Sequence, residues 1–328
     1  MRSIAALPGL TPENYRSHPL HGEGSDAPRG TRHADPWIAF VHTLGLEPLA
    51  LLASTVAADF EDDQWTACPP LAPELRALYG IDVRELAVWR PFLDHAREHL
   101  AGGKLIHAEV DARGLPDARD SGDRRHASTC ILMAELDEAR ERLGYFHGAG
   151  YFELQGADFR RLFRLDVPPD PAAMPPAAQL VRLDRLARKD PAELADESFE
   201  LLRRHFAWRP RRNPFSRFAA RLAKDLPGLR DQGPDSWGRW SAASVSPAGS
   251  AFGLLAAHLR WLATQSYPEL DEPAQRFDAI GAACAALLLK GDRAVRIGAP
   301  LAANDLLRAL ASDWDRGMAQ LGAVLGED

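Results

Sequence analysis

Residues 143–154 read Leu143-Gly144-Tyr145-Phe146-His147-Gly148-Ala149-Gly150-Tyr151-Phe152-Glu153-Leu154, which is two aromatic runs separated by a glycine-rich turn. This pattern predicts a β-hairpin with strands at 144–147 and 151–154. Upstream, the β-branched or alternating runs 104–111 and 126–133 predict two further strands. Helical patterns that are followed by a series of adjacent strands, without strand–helix alternation, indicate an α+β domain.

Downstream of the hairpin, five prolines within residues 167–178 interrupt the pattern, and helical spacing then continues to the end of the chain. We therefore predict four segments. Residues 1–29 are an irregular lead-in, 30–165 the α+β domain, 166–190 a proline-rich linker and 191–328 an all-helical domain. Asp35-Pro36 and Asn213-Pro214 are predicted starts of helices, with Asp35 and Asn213 at the N-cap positions and the prolines as the first helical residues.

Composition excludes several broad classes of protein. The chain has 328 residues, of which 46% are hydrophobic and 26% charged, values typical of folded globular proteins. Its longest apolar run is too short to span a bilayer, and the N-terminal residues lack the apolar core of a signal peptide. Three singly spaced cysteines suggest no disulfide framework. We therefore expect a cytoplasmic, reduced protein, and the net charge of −7 argues against nucleic acid as a partner.

The first candidate for chemistry is an aspartate and a histidine at the ends of neighbouring predicted strands. Asp111 ends one strand and His126 begins the next. A carboxylate in contact with an imidazole fixes its tautomer and stabilises its protonated form, which suits general-base catalysis. The alternative is a strand-end carboxylate and an unrelated surface histidine.

The second candidate is a basic segment between Leu201 and Lys224, which has eight Arg or Lys residues and no acidic one. The candidate binding residues are Arg209, Arg211, Arg212 and Arg217. With aromatic residues interleaved, such a segment could bind a nucleic-acid backbone and stack on its bases. Within an acidic protein, it could equally bind an acidic protein or a phosphate group. The alternative is a solvated helix face with aromatic residues in the core.

The third candidate is the string His95-Ala96-Arg97-Glu98-His99. On a helix, two histidines four residues apart share a face and could bind zinc, with Glu98 as general base. A third ligand would have to come from elsewhere, so zinc hydrolysis is kept as an alternative to a site without metal.

The cysteines are the candidate nucleophiles. Cys130 lies within a predicted strand and Cys284 on the apolar face of a predicted helix, where buried structural thiols are usual. Cys68 precedes two prolines and is the thiol we expect to be exposed. Its reactivity would require a basic neighbour that lowers the thiol pKa.

A series of short motifs resembles a known family. The motifs are Asp35-Pro36-Trp37, Asp59-Phe60-Glu61, Leu78-Tyr79-Gly80-Ile81, Trp89-Arg90-Pro91, Glu109-Val110-Asp111, Leu115-Pro116-Asp117, Leu143-Gly144-Tyr145-Phe146-His147 and Asn213-Pro214-Phe215. In this order they resemble a bacterial family of unknown function, domain of unknown function 1839, over roughly residues 15–325. Motifs of this number and order are specific, although no single one is.

The family in turn resembles, more distantly, papain-fold acyltransferases that take an aminoacyl group from a carrier protein. The pattern behind this second resemblance is Val110-Asp111, Leu115-Pro116 and His126. It implies a papain-like N-terminal domain in which Asp111 and His126 supply general-base function. It also implies a nucleophilic cysteine before the first helix, but Arg32 stands in that place. A guanidinium stays protonated and cannot attack a carbonyl.

Three functional hypotheses follow from these residues and resemblances. In the first, the protein transfers a carrier-bound acyl or aminoacyl group without the usual cysteine, and Arg32 binds a phosphate or carboxylate. The resemblance then implies an acidic acyl carrier protein as partner, and no cofactor beyond the phosphopantetheine that the carrier presents. In the second, the protein is a catalytically inactive module that docks a carrier protein or an assembly. In the third, it is a zinc hydrolase.

Overall fold

The structure, a computed structural model, describes residues 4–21, 34–67, 69–121, 128–168 and 174–326. Its strands are β1 (Ile4–Ala5), β2 (Asp59–Glu61), β3 (Gln64–Thr66), β4 (Asp82–Leu86), β5 (Leu105–Asp111), β6 (Ser128–Asp137), β7 (Arg142–His147), β8 (Gly150–Gln155) and β9 (Ala178–Arg182). Its α-helices are α1 (Asp35–Thr43), α2 (Ala72–Tyr79), α3 (Phe92–Ala101), α4 (Ala157–Leu162), α5 (Pro191–Phe206), α6 (Pro214–Gln232), α7 (Pro234–Ser244), α8 (Ser246–Gln265), α9 (Asp271–Arg296) and α10 (Asn304–Leu325). Short 3-10 helices include Pro48–Ala57, Ala112–Gly114 and Pro116–Ser121.

The chain divides into two compact units. The sheet unit comprises the described residues within 1–19, 32–48 and 71–188, and the helical unit comprises those within 20–31, 49–70 and 189–328. The prediction of a mixed α+β protein with a helical C-terminal region is therefore confirmed.

An antiparallel sheet forms the centre of the sheet unit. Its strand order is β4-β9-β5-β6-β7-β8, and β1 pairs with β6. The β7–β8 hairpin, with His147 opposite Gly150, confirms the prediction from the aromatic runs. β5 and β6 are also neighbours, and Asp111 lies opposite Ser128. The ends of the two strands thus meet as the sequence predicted.

The two faces of the sheet are covered by different helices. On one face, inward side chains such as Ile106 and Met133 form a hydrophobic core with Leu100 of α3 and Phe159 of α4. On the other face, Phe40 of α1 packs edge-on against Phe146, with ring centroids 5.7 Å apart. α1 begins at Asp35, within one residue of the predicted start, but Asp35 is its first helical residue and Ala34 occupies the N-cap position without a side-chain hydrogen bond.

The segment predicted as a linker, 166–190, contains strand β9. This strand lies between β4 and β5 and hydrogen-bonds to both. Its five residues contain no proline, and the prolines at 175 and 176 precede it. A strand this short has too little alternation to stand out beside a proline-rich stretch, and only pairing on both sides completes its hydrogen bonds.

The helical unit also includes residues that the sequence assigned to the α+β domain. Trp65 of β3 packs against Phe215 of α6 and Phe252 of α8, with ring centroids 4.8 and 5.9 Å away. Burial of these rings attaches segment 49–70 to the helices. α6 begins as predicted, because the Asn213 side chain accepts hydrogen bonds from the backbone N–H groups of Phe215 and Ser216.

Candidate functional site

Two motifs that are distant in sequence meet on one face of the sheet. Asp117 belongs to the 3-10 helix Pro116–Ser121. Tyr145 and His147 are two residues apart on β7, so their side chains point to the same face of the sheet. The Nδ1 atom of His147 lies 2.5 Å from the Asp117 carboxylate. The Tyr145 hydroxyl donates to the other oxygen of that carboxylate. On the far side of the imidazole, Nε2 lies 2.9 Å from the hydroxyl of Thr129 in β6.

Hydrogen-bond chemistry determines the direction of this chain of contacts. An ionised carboxylate only accepts, so Nδ1 of His147 must carry the proton that faces Asp117. In the neutral ring Nε2 then holds a lone pair, and the Thr129 hydroxyl donates to it. The group is largely withdrawn from water, because the side chains of His147 and Asp117 are 18% and 12% exposed and Tyr145 is fully buried. We call Asp117, Thr129, Tyr145 and His147 the triad cluster.

The predicted pair of Asp111 and His126 stays a prediction, because His126 lies outside the described residues, as does Arg32. The Asp111 carboxylate is bound by Arg113, whose Nη2 lies 2.7 Å away, and it also accepts from the Arg113 backbone N–H at 3.0 Å. This carboxylate raises the pKa of the Arg113 guanidinium, because the ion pair favours the charged form.

The triad cluster was missed from the sequence, although three of its members stood in the family motifs. Asp117 follows Leu115-Pro116, and Tyr145 and His147 end the motif that begins at Leu143. One available signal was the position of Thr129, a hydroxyl at an inward position of an otherwise apolar strand face. Such a group requires a buried polar partner, but spacing alone does not identify which one.

A second histidine is bonded on the opposite face of the sheet, against α1. The Nδ1 atom of His107 in β5 lies 3.0 Å from Oε1 of Gln179 in β9. The Trp37 ring of α1 lies beside this imidazole, with 5.4 Å between centroids. Asp111 shares this face, because it stands four residues further along β5.

The basic segment separates into bound and exposed arginines. The Arg217 guanidinium donates to the Phe60 carbonyl and to the Asp59 carboxylate. Arg209 stacks over the Phe206 ring at 3.8 Å. Arg211 and Arg212 are exposed in the turn between α5 and α6.

Trp208 lies in the same turn, and 81% of its surface is exposed. Tryptophan and arginine are residue types enriched among the energetically important residues of interfaces, so this turn is a candidate binding surface. We call Trp208, Arg211 and Arg212 the arginine turn.

The predicted zinc motif lies on α3, but its members have protein partners. The Trp89 backbone N–H donates to Nε2 of the buried His95 over 3.4 Å, and Glu98 forms an ion pair with Arg90. The ring centroids of His95 and His99 are 6.0 Å apart. Among the described residues, no three His, Cys, Asp or Glu side chains are grouped so that they could hold a metal ion.

The cysteines differ in their surroundings. Cys284 on α9 is 2% exposed, and burial raises its thiol pKa to about 12, so the prediction that it is buried is confirmed. Cys130 is half-buried on β6 opposite Glu109. Cys68 lies outside the described residues.

Comparison with known proteins identifies both halves of the chain. Residues 16–183 match the model of the DUF1839 N-terminal domain, and residues 191–323 match that of the DUF1839 C-terminal domain. No curated protein matches the chain. In the part of the chain that the structure describes, no helix combines the length and apolar character needed to cross a membrane.

Proposed function

Because the chain belongs to the DUF1839 family in both of its halves, a family without an assigned activity, we propose its function from the triad cluster. The protein transfers an acyl or aminoacyl group that is presented as a thioester by an acidic carrier protein. The observation that carries this proposal is the position of His147, whose two ring nitrogens are bonded to Asp117 and Thr129. An imidazole oriented by a carboxylate is the usual general base of acyl transfer.

His147 acts on the proton of the attacking group. As an amine or hydroxyl attacks the thioester carbonyl, Nε2 accepts its proton, and the Asp117 carboxylate stabilises the imidazolium that forms. When the carbon–sulfur bond breaks, the imidazolium returns the proton to the leaving thiolate. General-base catalysis of this kind typically contributes about 10²–10⁴ in rate.

The arginine turn supports an acidic carrier as the donor. Arg211 and Arg212 are exposed cations on a protein whose net charge is −7, so they provide a local site for an acidic surface or a phosphate. The adjacent, exposed Trp208 ring offers an apolar contact at the same place. Phosphopantetheine, with its phosphate and apolar chain, has both chemical features.

The papain-like architecture is part of the same proposal. It is supported by the packing of α1 against the central strands and by the contact of Trp37 with His107. An amide oxygen bonded to a histidine, as Gln179 is to His107, resembles the Cys-His-Asn arrangement of papain-like enzymes. The resemblance to papain-fold acyltransferases assigns general-base function to Asp111 and His126 and the binding of a phosphate or carboxylate to Arg32, and these roles stay part of the proposal; His126 and Arg32 lie outside the described residues.

The test uses carrier protein loaded in turn with acetyl, neutral aminoacyl and charged aminoacyl groups. Intact-mass spectrometry follows loss of the acyl group from the carrier in the presence of the full-length protein. We expect wild type to discharge at least one of these carriers, and His147→Ala to slow discharge by about 10²–10⁴. His147→Gln, which keeps polar atoms in the pocket, checks that the loss does not result from unfolding.

His99→Ala is the matched control, because it removes a half-buried histidine from the same unit. It should leave discharge unchanged, whereas a zinc hydrolase that used His95 and His99 would lose activity. Carrier discharge at the wild-type rate in His147→Ala would exclude His147 as the base. Complex formation without any discharge by wild type would favour the inactive docking module over the transferase.

A further inference from the structure

The hydroxyl of Thr129 has apolar side chains as neighbours on its face of the sheet. Its neighbours on the same face of the sheet are Val110 across the strand pair and Ile131 and Met133 further along β6, all of them buried. Withdrawing a hydroxyl from water costs free energy unless it is hydrogen-bonded. Nε2 of His147 accepts that hydrogen bond at 2.9 Å, so each of the two groups satisfies the hydrogen-bonding requirement of the other.

In this hydrogen bond the lone pair of His147 Nε2 faces the hydroxyl proton of Thr129. Asp117 holds the proton of the neutral ring on Nδ1, which leaves Nε2 to accept from Thr129. A hydroxyl that donates to a histidine, which is itself oriented by a carboxylate, is the structural signature of an activated nucleophile. Thr129, His147 and Asp117 satisfy this order with each contact within hydrogen-bond range.

We propose that Thr129 Oγ1 is the nucleophile that takes the acyl group from the carrier, an inference that rests on the proposed transferase function. Oγ1 attacks the thioester carbonyl carbon, and its proton passes to Nε2 of His147. The carbon–sulfur bond then breaks, the thiolate takes this proton and leaves as a thiol, and the acyl group remains on Thr129 as an ester. In the second half, an acceptor amine attacks the ester, loses a proton to Nε2, and Oγ1 leaves with that proton.

This assignment accounts for transfer without a cysteine before α1. The nearest thiol along the chain is Cys130, but successive side chains of a strand point to opposite faces. Cys130 therefore faces the α1 side with Glu109, and Thr129 faces His147. Because Cys130 is adjacent to Thr129 but faces the other side of the sheet, a variant of Cys130 is a matched control for variants of Thr129.

The experiment traps the ester. Wild-type protein is mixed with the acyl-loaded carrier that it discharges, quenched with acid, and examined by intact-mass spectrometry and peptide mapping. We expect a mass gain equal to the acyl group on the peptide that contains Thr129. The adduct should resist neutral hydroxylamine, which cleaves thioesters, and be lost in alkaline hydroxylamine, which cleaves oxygen esters.

Variants separate the nucleophile from the base. Thr129→Val keeps the shape of the side chain, and we expect it to lose the adduct and to slow discharge by at least about 10². Cys130→Ala should keep both, and Thr129→Ser, which restores a hydroxyl at this position, should regain the adduct that Thr129→Val loses. Circular dichroism confirms that each variant is folded, and trapping in wild type does not depend on any variant.

Each contrary result is decisive. An adduct on Cys130 or Cys68, or one that persists in Thr129→Val, overturns the assignment of the nucleophile. Discharge by Thr129→Val at the wild-type rate, with none by His147→Ala, would mean direct transfer to the acceptor, so that the transferase proposal stands and the threonine ester does not. Failure of wild type to discharge any carrier would overturn both.

Discussion

His147, the last residue of β7, is bonded through Nδ1 to the carboxylate of Asp117, 30 residues earlier in the chain. The contact joins the end of a strand to a 3-10 helix that lies outside the sheet. Both side chains are largely buried, so the Asp117 carboxylate favours the tautomer of His147 that carries its proton on Nδ1. The pair therefore has the geometry of a histidine oriented by a carboxylate, on which the proposed general-base function rests.

Reversing the charge of the arginine turn should weaken binding of an acidic carrier protein. We expect Arg211→Glu with Arg212→Glu to raise Kd about tenfold at low salt, and the difference to shrink as salt is added, because exposed charges are screened over about 10 Å. Isothermal titration calorimetry at several salt concentrations measures both effects. Arg308→Glu, an exposed change on α10, is the control. Equal affinities for wild type and the double variant would refute docking at this turn.

Arg217 should matter for stability more than for docking. Its guanidinium bonds the Phe60 carbonyl and the Asp59 carboxylate, which Arg217→Ala would leave without this partner. We expect the variant to lower the free energy of unfolding by about 1–3 kcal/mol, as for other lost hydrogen bonds to charged groups. Arg212→Ala, in the exposed turn, should change it by less than about 0.5 kcal/mol. Urea denaturation compares the two, and equal effects would contradict the division between bound and exposed arginines.

Gly291 of α9 allows close approach of the Trp237 ring. A Cβ atom at this position would overlap the six-membered part of the indole, and Trp237 is fully buried and cannot move aside easily. We expect Gly291→Ala to destabilise the protein by about 1–3 kcal/mol, the usual cost of overpacking. Gly238→Ala in α7, where a Cβ meets no atom within 4 Å, should instead stabilise by about 0.5–1 kcal/mol. Thermal unfolding that ranks the two variants in the opposite order would show that this contact is not close.

His258 should make stability fall in mild acid. Burial lowers its pKa from 6.5 to about 4, against a smaller opposing effect of its hydrogen bond to the Leu49 carbonyl, and His205 lowers it further. Between these pH values the unfolded chain binds the proton more readily than the folded protein does. The free energy of unfolding therefore falls as pH drops from 6.5 to 4, by up to about 1.4 kcal/mol per pH unit from this residue.

His258→Asn removes this titration and keeps a side-chain donor toward the Leu49 carbonyl. We expect its free energy of unfolding to be lower near neutral pH but less dependent on pH between 6.5 and 4. Urea denaturation followed by circular dichroism at several pH values gives the slope for each protein. The same slope in wild type and variant would mean that His258 does not cause the acid sensitivity.

Local patterns predicted the regular elements well where they were long and periodic. The β7–β8 hairpin, the pairing of Asp111 with the start of β6, and the helix starts at Asp35 and Asn213 were all predicted from short-range signals. These signals are turn chemistry, alternation and capping, and each acts within a few residues. β9 was missed because its stability comes from two neighbouring strands rather than from its own five residues.

The candidate site shows the same limit. The sequence predicts that Asp111 lies near the start of β6, because β5 and β6 are consecutive strands joined by one connection. Asp117 and His147 meet only when a 3-10 helix packs near the end of a strand that is two positions away in the sheet from β5. Arg211 and Arg217 are both arginines of one basic segment, and the sequence does not distinguish them. Arg217 is bound and Arg211 exposed because segment 49–70 packs against α6 and supplies the partners of Arg217.

The sequence by itself determined the class of the protein: family membership, an α+β half, a helical half and the positions of its strong turns and caps. These depend on which residues are adjacent in the chain. Only the tertiary structure decided that Asp117, His147 and Thr129 form one hydrogen-bonded series, and that β9 belongs to the sheet. Such contacts arise because burial of apolar side chains brings distant segments together, and buried polar groups must then bond to whichever partners they meet.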